Sequence, residues 1–478
     1  MKRGWLLVIC LLAGILVIGM VVFSRLFFTD LDKEHEVEST AKTQVKLALY
    51  DWTHNLEVQN VIKQYNESNP DYIEIVIMDI SRDDYNDTLN MLMTSGEGPD
   101  VFIVDQAWLA SYVNKKYLEN LAPYLSQSEM KRYPQWSLDY ARRSLFKGGI
   151  YFVPTSVETI RLIYRKDLFR RAGLDPERPP ATFAELKNAA KQITDTGVGV
   201  QKYGFALPAG DNQHSFQVDL EMSNTYSGLN YYDYRTGRYD ISVYLPWLRT
   251  MREIKHQGSM YPGESLLKRE NALKQFAEGN IGMMYVTSKD YVKLHEYMTR
   301  GDWGVAMPPA INEKSRGAGA LMMLPQSPLV VNSSAGEKTA AVKVWSFLQS
   351  PAFQTVLFQQ ALALPLVDGI MDHSYLQPQY GHFKDFYPTE NDAIYPLSPQ
   401  IMDQYDPNTV ASGPRNSGDR PRMELYLQLI TDQEQPMDQA LQGETERLNQ
   451  MLDIAATGAF FNLEDYIIRD FDPLHPLP

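Results

Sequence analysis

A chain of 478 residues exceeds what a single hydrophobic core ordinarily organises, so two domains are expected. The formal net charge is −14, and without Lys2, Arg3 and Arg25, which flank an apolar N-terminus, 42 basic residues face 59 acidic ones, or −17. That balance excludes the basic footprint nucleic acid requires, disfavours lying flat on an anionic membrane, and goes with a single cysteine, Cys10, which excludes an intramolecular disulfide, a thiolate metal cluster or a catalytic thiol in the body.

Trp5 to Phe23 carries no charged side chain. At 1.5 Å per residue this run spans about 28 Å, enough for a hydrocarbon core of about 30 Å. Lys2 and Arg3 ahead of it, with an acidic stretch behind, place the N-terminus in the cytoplasm and the body outside. The run is longer than the core of a cleaved signal peptide, and Ser24–Phe28 offers no small-residue cleavage site. Isoleucine precedes Cys10, where a lipoprotein signal needs small residues. Residues 1–28 therefore read as an uncleaved signal anchor in preference to a cleaved or lipidated signal. Residues 29–43, rich in Asp, Glu, Lys, Ser and Thr, read as a flexible stalk.

The body opens with a strand at Gln44–Tyr50, where apolar and polar residues alternate. Leu56, Val58, Val61, Ile62 and Tyr65 then recur at near-helical spacing over Leu56–Ser68, and Asn69-Pro70 ends that helix. Ile73–Met78 is a strand, Tyr85–Met93 a helix, Gly96–Asp100 a turn and Val101–Val104 a short apolar strand. Such alternation predicts a parallel sheet with helices on both faces and a ligand outside the carboxyl ends of its strands.

A second unit begins with strands at Ile150–Val153 and Ile160–Tyr164. Helices follow at Lys166–Ala172, Thr182–Thr194, Leu245–His256 and Glu264–Glu278, then a strand at Ile281–Tyr285. Pro308-Pro309 and Gly317-Ala318-Gly319 mark a crossover, and Ala335–Gln349 with Pro351–Ala361 reads as a helix pair. Leu362–Pro421, rich in Pro, Tyr and Asp, has little periodicity and is expected to wrap one lobe. Arg422–Leu429 and Met437–Leu452 are closing helices.

Several pieces in this order carry a resemblance. Gly96-Glu-Gly-Pro-Asp-Val101 is followed by Asp105, and Val153-Pro154 leads to Leu162-Ile-Tyr-Arg-Lys-Asp-Leu-Phe169, Ala172-Gly-Leu174 and Thr182-Phe-Ala-Glu-Leu186. Phe276-Ala-Glu-Gly-Asn-Ile-Gly-Met283, Trp303-Gly-Val-Ala-Met-Pro308 and Gln435-Pro-Met-Asp-Gln-Ala-Leu441 with Leu448-Asn449 complete the series. Each alone is weak; together, across about 400 residues, they resemble the extracellular solute-binding proteins of bacterial ABC sugar importers, the maltose-binding-protein-like group. The resemblance implies a bilobal α/β fold of the periplasmic-binding-protein type, class II, whose lobes exchange strands and close about a hinge. It implies 44–154 with 303–362 as the first lobe and 155–302 with 363–478 as the second.

Sugars call for aromatic faces against C–H patches and planar polar groups for hydroxyls. Trp52 and Thr53 follow the first strand on the cleft side, with packing and helix capping as the competing roles. Asp105, Gln106 and Trp108 follow the strand at Val101–Val104 in the same way, Asp105 also being a natural N-cap. Glu158 lies where the chain first crosses between lobes, and the resemblance implies that a glutamate there reaches the sugar. Tyr226, Tyr231 and Tyr232 lie on a segment that presents aromatic residues to the ligand in the family, although a loop packing on its own lobe is an equal reading. Ser288 lies in the loop Val286–Lys289, where relatives often have a tryptophan and this chain has none. Gly317 and Gly319 would let backbone approach the ligand or simply turn the crossover, and Arg415 completes the set.

No G-x-S-x-G, H-E-x-x-H or P-loop motif occurs. The acidic run Asp79, Asp83, Asp84 and Asp87 lacks the glycine and spacing of an EF-hand and reads as a solvated face. The expectation is a monomeric binding protein, not an enzyme, with no cofactor, no metal and no nucleic-acid partner. It captures a sugar or oligosaccharide outside the cell membrane and passes it to ABC permease subunits. A tethered sensor presenting its ligand to a signalling kinase is the alternative.

Overall fold

The computed structural model describes residues 42–49, 52–81, 84–104, 106–142, 146, 148–196, 201–210, 214–326, 328–367, 369–372, 378, 381–399, 419–457 and 462–477. The strands in chain order are β1 (Thr43–Ala48), β2 (Ile73–Ile77), β3 (Val101–Ile103), β4 (Ser156–Glu158), β5 (Ile160–Arg165), β6 (Tyr203–Phe205) and β7 (Tyr232–Asp233). They continue with β8 (Arg238–Tyr239), β9 (Ile281–Thr287), β10 (Trp303–Ala306), β11 (Leu321–Pro325), β12 (Leu329–Val331), β13 (Leu364–Pro365) and β14 (Asp392–Ile394).

The first sheet has the order β12-β3-β1-β2, with β1 parallel to both β2 and β3 and β12 antiparallel at the edge. Its helices start and stop for local reasons. Leu56–Ser68 is capped by Asn55, whose side chain accepts the N–H groups of Glu57 and Val58 at 3.0 and 3.2 Å. It stops at Asn69, held extended (ψ 137°) because Pro70 follows, while Asn69 bonds the backbone of Tyr65 and Ile73. Tyr85–Ser95 ends on Gly96 in the left-handed region, φ 80°. Val58, Ile62, Trp345, Phe353 and Leu357 pack with β1 and β3 in one buried cluster.

The second sheet has the order β10-β5-β9-β6, with β5 antiparallel to β9 and β10, and β6 parallel to β9. Helices Phe183–Thr196 and Leu245–His256 cover it, and Asp419–Thr431 and Met437–Thr457 pack into the same core through Leu429, Ile430, Leu441 and Leu448.

A third sheet, β13-β4-β11-β14, joins the two. Along β4 the chain passes from Val153, in the first lobe's core, through Val157 in a shared cluster, to Ile160 in the second lobe's core. β11 runs antiparallel to it and makes the return journey, from Leu321 and Met322 through Met323 to Leu329.

Three sequence expectations change. Ile150, Phe152 and Val153 are buried but the segment forms no strand: the N–H of Ile150 goes to the side chain of Asn120 and its carbonyl accepts the N–H of Leu121. Trp303–Ala306 pairs with β5, so the return to the first lobe occurs at β11 rather than at residue 303. The segment after Leu362 adds β13 and β14 to the joining sheet instead of only wrapping a lobe. Among the described residues no helix is long and apolar enough to cross a membrane; the apolar run Trp5–Phe23 and the stalk lie outside them, apart from its last two residues.

Candidate functional site

Parallel strands direct their carboxyl ends to one side of a sheet, where loops are free to build a site. In the first sheet these ends lead to Trp52, Met78 and Val104; in the second, to Ala206 and Ser288. The crossing strands β4 and β11 connect the two sets, carrying Ser156 and Glu158 on one and leading to Gln326 on the other.

The charged groups of this region form a linked set. Glu158 pairs with Lys289 at 3.0 Å. Arg269, at the start of helix Arg269–Ala277, donates to Asp219 at 2.8 Å and to the carbonyl of Tyr285 at 2.7 Å, and lies 3.7 Å from Asp290. Asp290 in turn accepts the N–H of Thr287, turning the chain as β9 ends. Asp219 is 1% exposed, and burial pushes its carboxyl up to about 7; Arg269 opposes the rise, whereas Asp290 and Glu158 add to it.

Of the sequence-derived candidates, Trp52 and Thr53 are both buried. The Trp52 ring lies 6.3 Å from that of Phe353, so its faces serve packing in this conformation, and the Thr53 carbonyl accepts from Gln59. Gln106 opens helix Gln106–Asn114; Trp108 on that helix is buried edge-to-face with Tyr112 at 6.1 Å. Asp105 and Arg415 lie outside the described residues. Glu158 and Ser288 come together at the crossing: Ser288 exchanges backbone and side-chain bonds with Thr159, and its neighbour Lys289 holds Glu158.

The tyrosines divide. Tyr231 stacks on Tyr239 and Tyr244 at interplanar angles of 28° and 27°, and its hydroxyl meets Ser398 at 2.8 Å. Tyr226 is buried in the second lobe's core, and its carbonyl accepts the N–H of Gly317. Tyr232 is completely buried there, so packing is its role in this conformation. Gly319 has no space for a side chain, because a Cβ would stand 2.5 Å from the carbonyl of Thr225; its close approach is to the chain itself. Gly317, by contrast, adopts φ +68° with open space around it, the mark of a turn.

Sequence reasoning did not single out Asp219, Arg269, Lys289, Asp290 or Gln326. Asp219 lies on a helix, His214–Thr225, without clear apolar periodicity, and Arg269 sits in the polar run Lys268-Arg269-Glu270, which reads like any solvated helix start.

Comparison with known proteins agrees with this architecture. The family model described as bacterial extracellular solute-binding protein matches residues 53–355. A putative binding protein of Brucella abortus (strain 2308) is 23% identical over 324 residues, covering 65% of this chain and 76% of its own. Among solved structures, the GacH receptor of Streptomyces glaucescens, known unliganded and with acarbose, superposes with a TM-score of 0.67 at 17% identity, over 86% of this chain and 99% of its own. An ABC substrate-binding protein of Listeria monocytogenes in complex with cycloalternan gives 0.66 at 17% identity, with the same coverage of 86% and 99%. With its two lobes, its paired crossing strands and a family match over more than half its length, the chain belongs to the bacterial extracellular solute-binding proteins.

Proposed function

We propose that the protein binds an uncharged sugar or oligosaccharide between its lobes, outside the cell membrane, and delivers it to the transmembrane subunits of an ABC importer without altering it chemically. The observation that carries this reading is the convergence of parallel-strand carboxyl ends from both sheets on the crossing strands β4 and β11. Acarbose and cycloalternan, bound by the two structural neighbours, are oligosaccharide-like and support a polyhydroxylated ligand.

An uncharged ligand follows from the electrostatics. The described cations at the end of β9, Arg269 and Lys289, already face Asp219, Asp290 and Glu158. A phosphate or uronate there would meet three acids against two cations, and would lose its hydration without a free positive partner in that set. Of the sequence candidates, Glu158, Ser288 and Tyr231 are proposed as ligand neighbours, and Trp5–Phe23 as the segment tethering the protein at the membrane.

The test is a thermal-shift screen of neutral oligosaccharides against their uronate and phosphorylated counterparts. A ligand at 100 times its Kd stabilises the native state by about 2.7 kcal/mol, a clear rise in Tm. A neutral glycan is expected to give the rise and to be recovered intact by mass spectrometry. A response confined to anionic ligands, or a hydrolysed product, would overturn the reading.

A further inference from the structure

Where the crossing strands meet the first lobe lies a cavity of about 10 Å³, the size of one water. Trp52 and Leu329 form its apolar wall; Ser156, Gln326, Gln349 and Gln354 supply polar groups. Ser156 and Gln326, one from each crossing, satisfy each other: the Ser156 hydroxyl donates to Gln326 Oε1 at 2.7 Å, and Gln326 Nε2 donates to the carbonyl of Leu362 at 3.3 Å.

The other two amides are different. Gln349 closes helix Lys338–Leu348 and Gln354 lies on helix Pro351–Gln359, with 3% and 2% exposure. Gln354 Nε2 donates to the carbonyl of Leu348 at 2.9 Å, which fixes the orientation of its amide and leaves Oε1 as the acceptor. Neither Gln349 Oε1 nor Gln354 Oε1 has a hydrogen-bond partner within the protein. Two unmatched buried acceptors beside a one-water cavity have a simple complement, since one water carries two O–H donors.

We propose that this cavity is a binding site for a single structural water that bridges Gln349 and Gln354. The water fastens the end of helix Lys338–Leu348 to helix Pro351–Gln359 beside the crossing strands, while Ser156 and Gln326 hold β4 to the end of β11 directly.

Crystals of the full chain diffracting to about 1.5 Å decide the matter. One density peak within hydrogen-bond distance, about 2.7–3.2 Å, of both Oε1 atoms is the expected result. An unfilled cavity, or a peak with the short contacts of a metal ion, overturns the proposal. Thermal unfolding of Gln349→Met, Gln354→Met and the double variant gives a second reading. Each single change is expected to lower Tm by about 2 °C, and the double change to cost little more, because the water leaves with its first anchor. Additive losses overturn the shared water.

Discussion

The two lobes present sheets of the same size but hold them in different ways. In the first, Leu47, Val101, Ile103, Trp345 and Phe353 make an apolar core, while ion pairs such as Lys63–Glu67 and Lys343–Asp71 stay at the surface. In the second lobe and the joining sheet, charge goes inside. Arg161 and Asp392 pair at 2.8 Å with side chains 2% and 0% exposed, and Arg269 pairs with Asp219 at 1%. Apolar packing is non-directional and tolerates exchange of shapes; a buried ion pair demands one geometry and penalises any other. Both lobes have apolar cores, and the buried pairs are expected to add positional accuracy in the region that includes β4, β5 and β9.

The largest expected effect tests the buried pair at the joining sheet. Arg161 donates twice to Asp392 and also to the carbonyls of Ile160 and Tyr387, so it fastens the segment around β14 to β5. Arg161→Met leaves Asp392 buried and charged, and should destabilise by about 3–5 kcal/mol in urea unfolding. Combining it with Asp392→Leu should restore most of that loss. A cost under about 1 kcal/mol, the range of exposed pairs, would erase the distinction between the lobes.

Such pairing explains what could be read from the sequence and what could not. Leu56–Ser68 and Leu245–His256 have the bounds their periodicity and flanking residues predict, because caps, proline and an apolar stripe act within one element. Ile150–Val153 has the composition of a strand, yet its backbone partners are Asn120 and Leu121, which nothing local specifies. The site follows the same rule. That Trp52 and Ser288 follow strands was legible; that the Trp52 ring packs on Phe353, or that Asp219 meets an arginine 50 positions away, depends on tertiary contact alone.

The pair at Asp219 sharpens the comparison through pH. An unfolded aspartate titrates near 3.9, whereas burial holds the folded Asp219 carboxyl at about 7. Between these values the native state keeps a proton that the unfolded chain has released, so the native state binds more protons and stability falls as pH rises from about 4 to about 7. Below that window both states are protonated; above it both are ionised, and this contribution is flat. Asp219→Asn should flatten that part of the profile and raise the urea midpoint at pH 8 relative to the parent. An unchanged slope between pH 4 and 7 would show that Arg269 outweighs burial and that this pair behaves like a surface one.

The smallest effect belongs to the first lobe and completes the contrast. Leu47 lies in the middle strand β1, fully buried, with Ile77 and Val101 opposite it on the neighbouring strands. Its surroundings are apolar, and methionine has nearly its volume with a more adaptable chain. Leu47→Met should therefore cost less than about 1.5 kcal/mol in the same urea assay. The two methionine substitutions place the same residue type in buried positions of the two regions, and they differ in what is left behind. At Leu47 the neighbours lose only fit, whereas at Arg161 a carboxylate loses its counter-charge. Equal costs would falsify the contrast between the two regions, since packing alone would then set the stability of both.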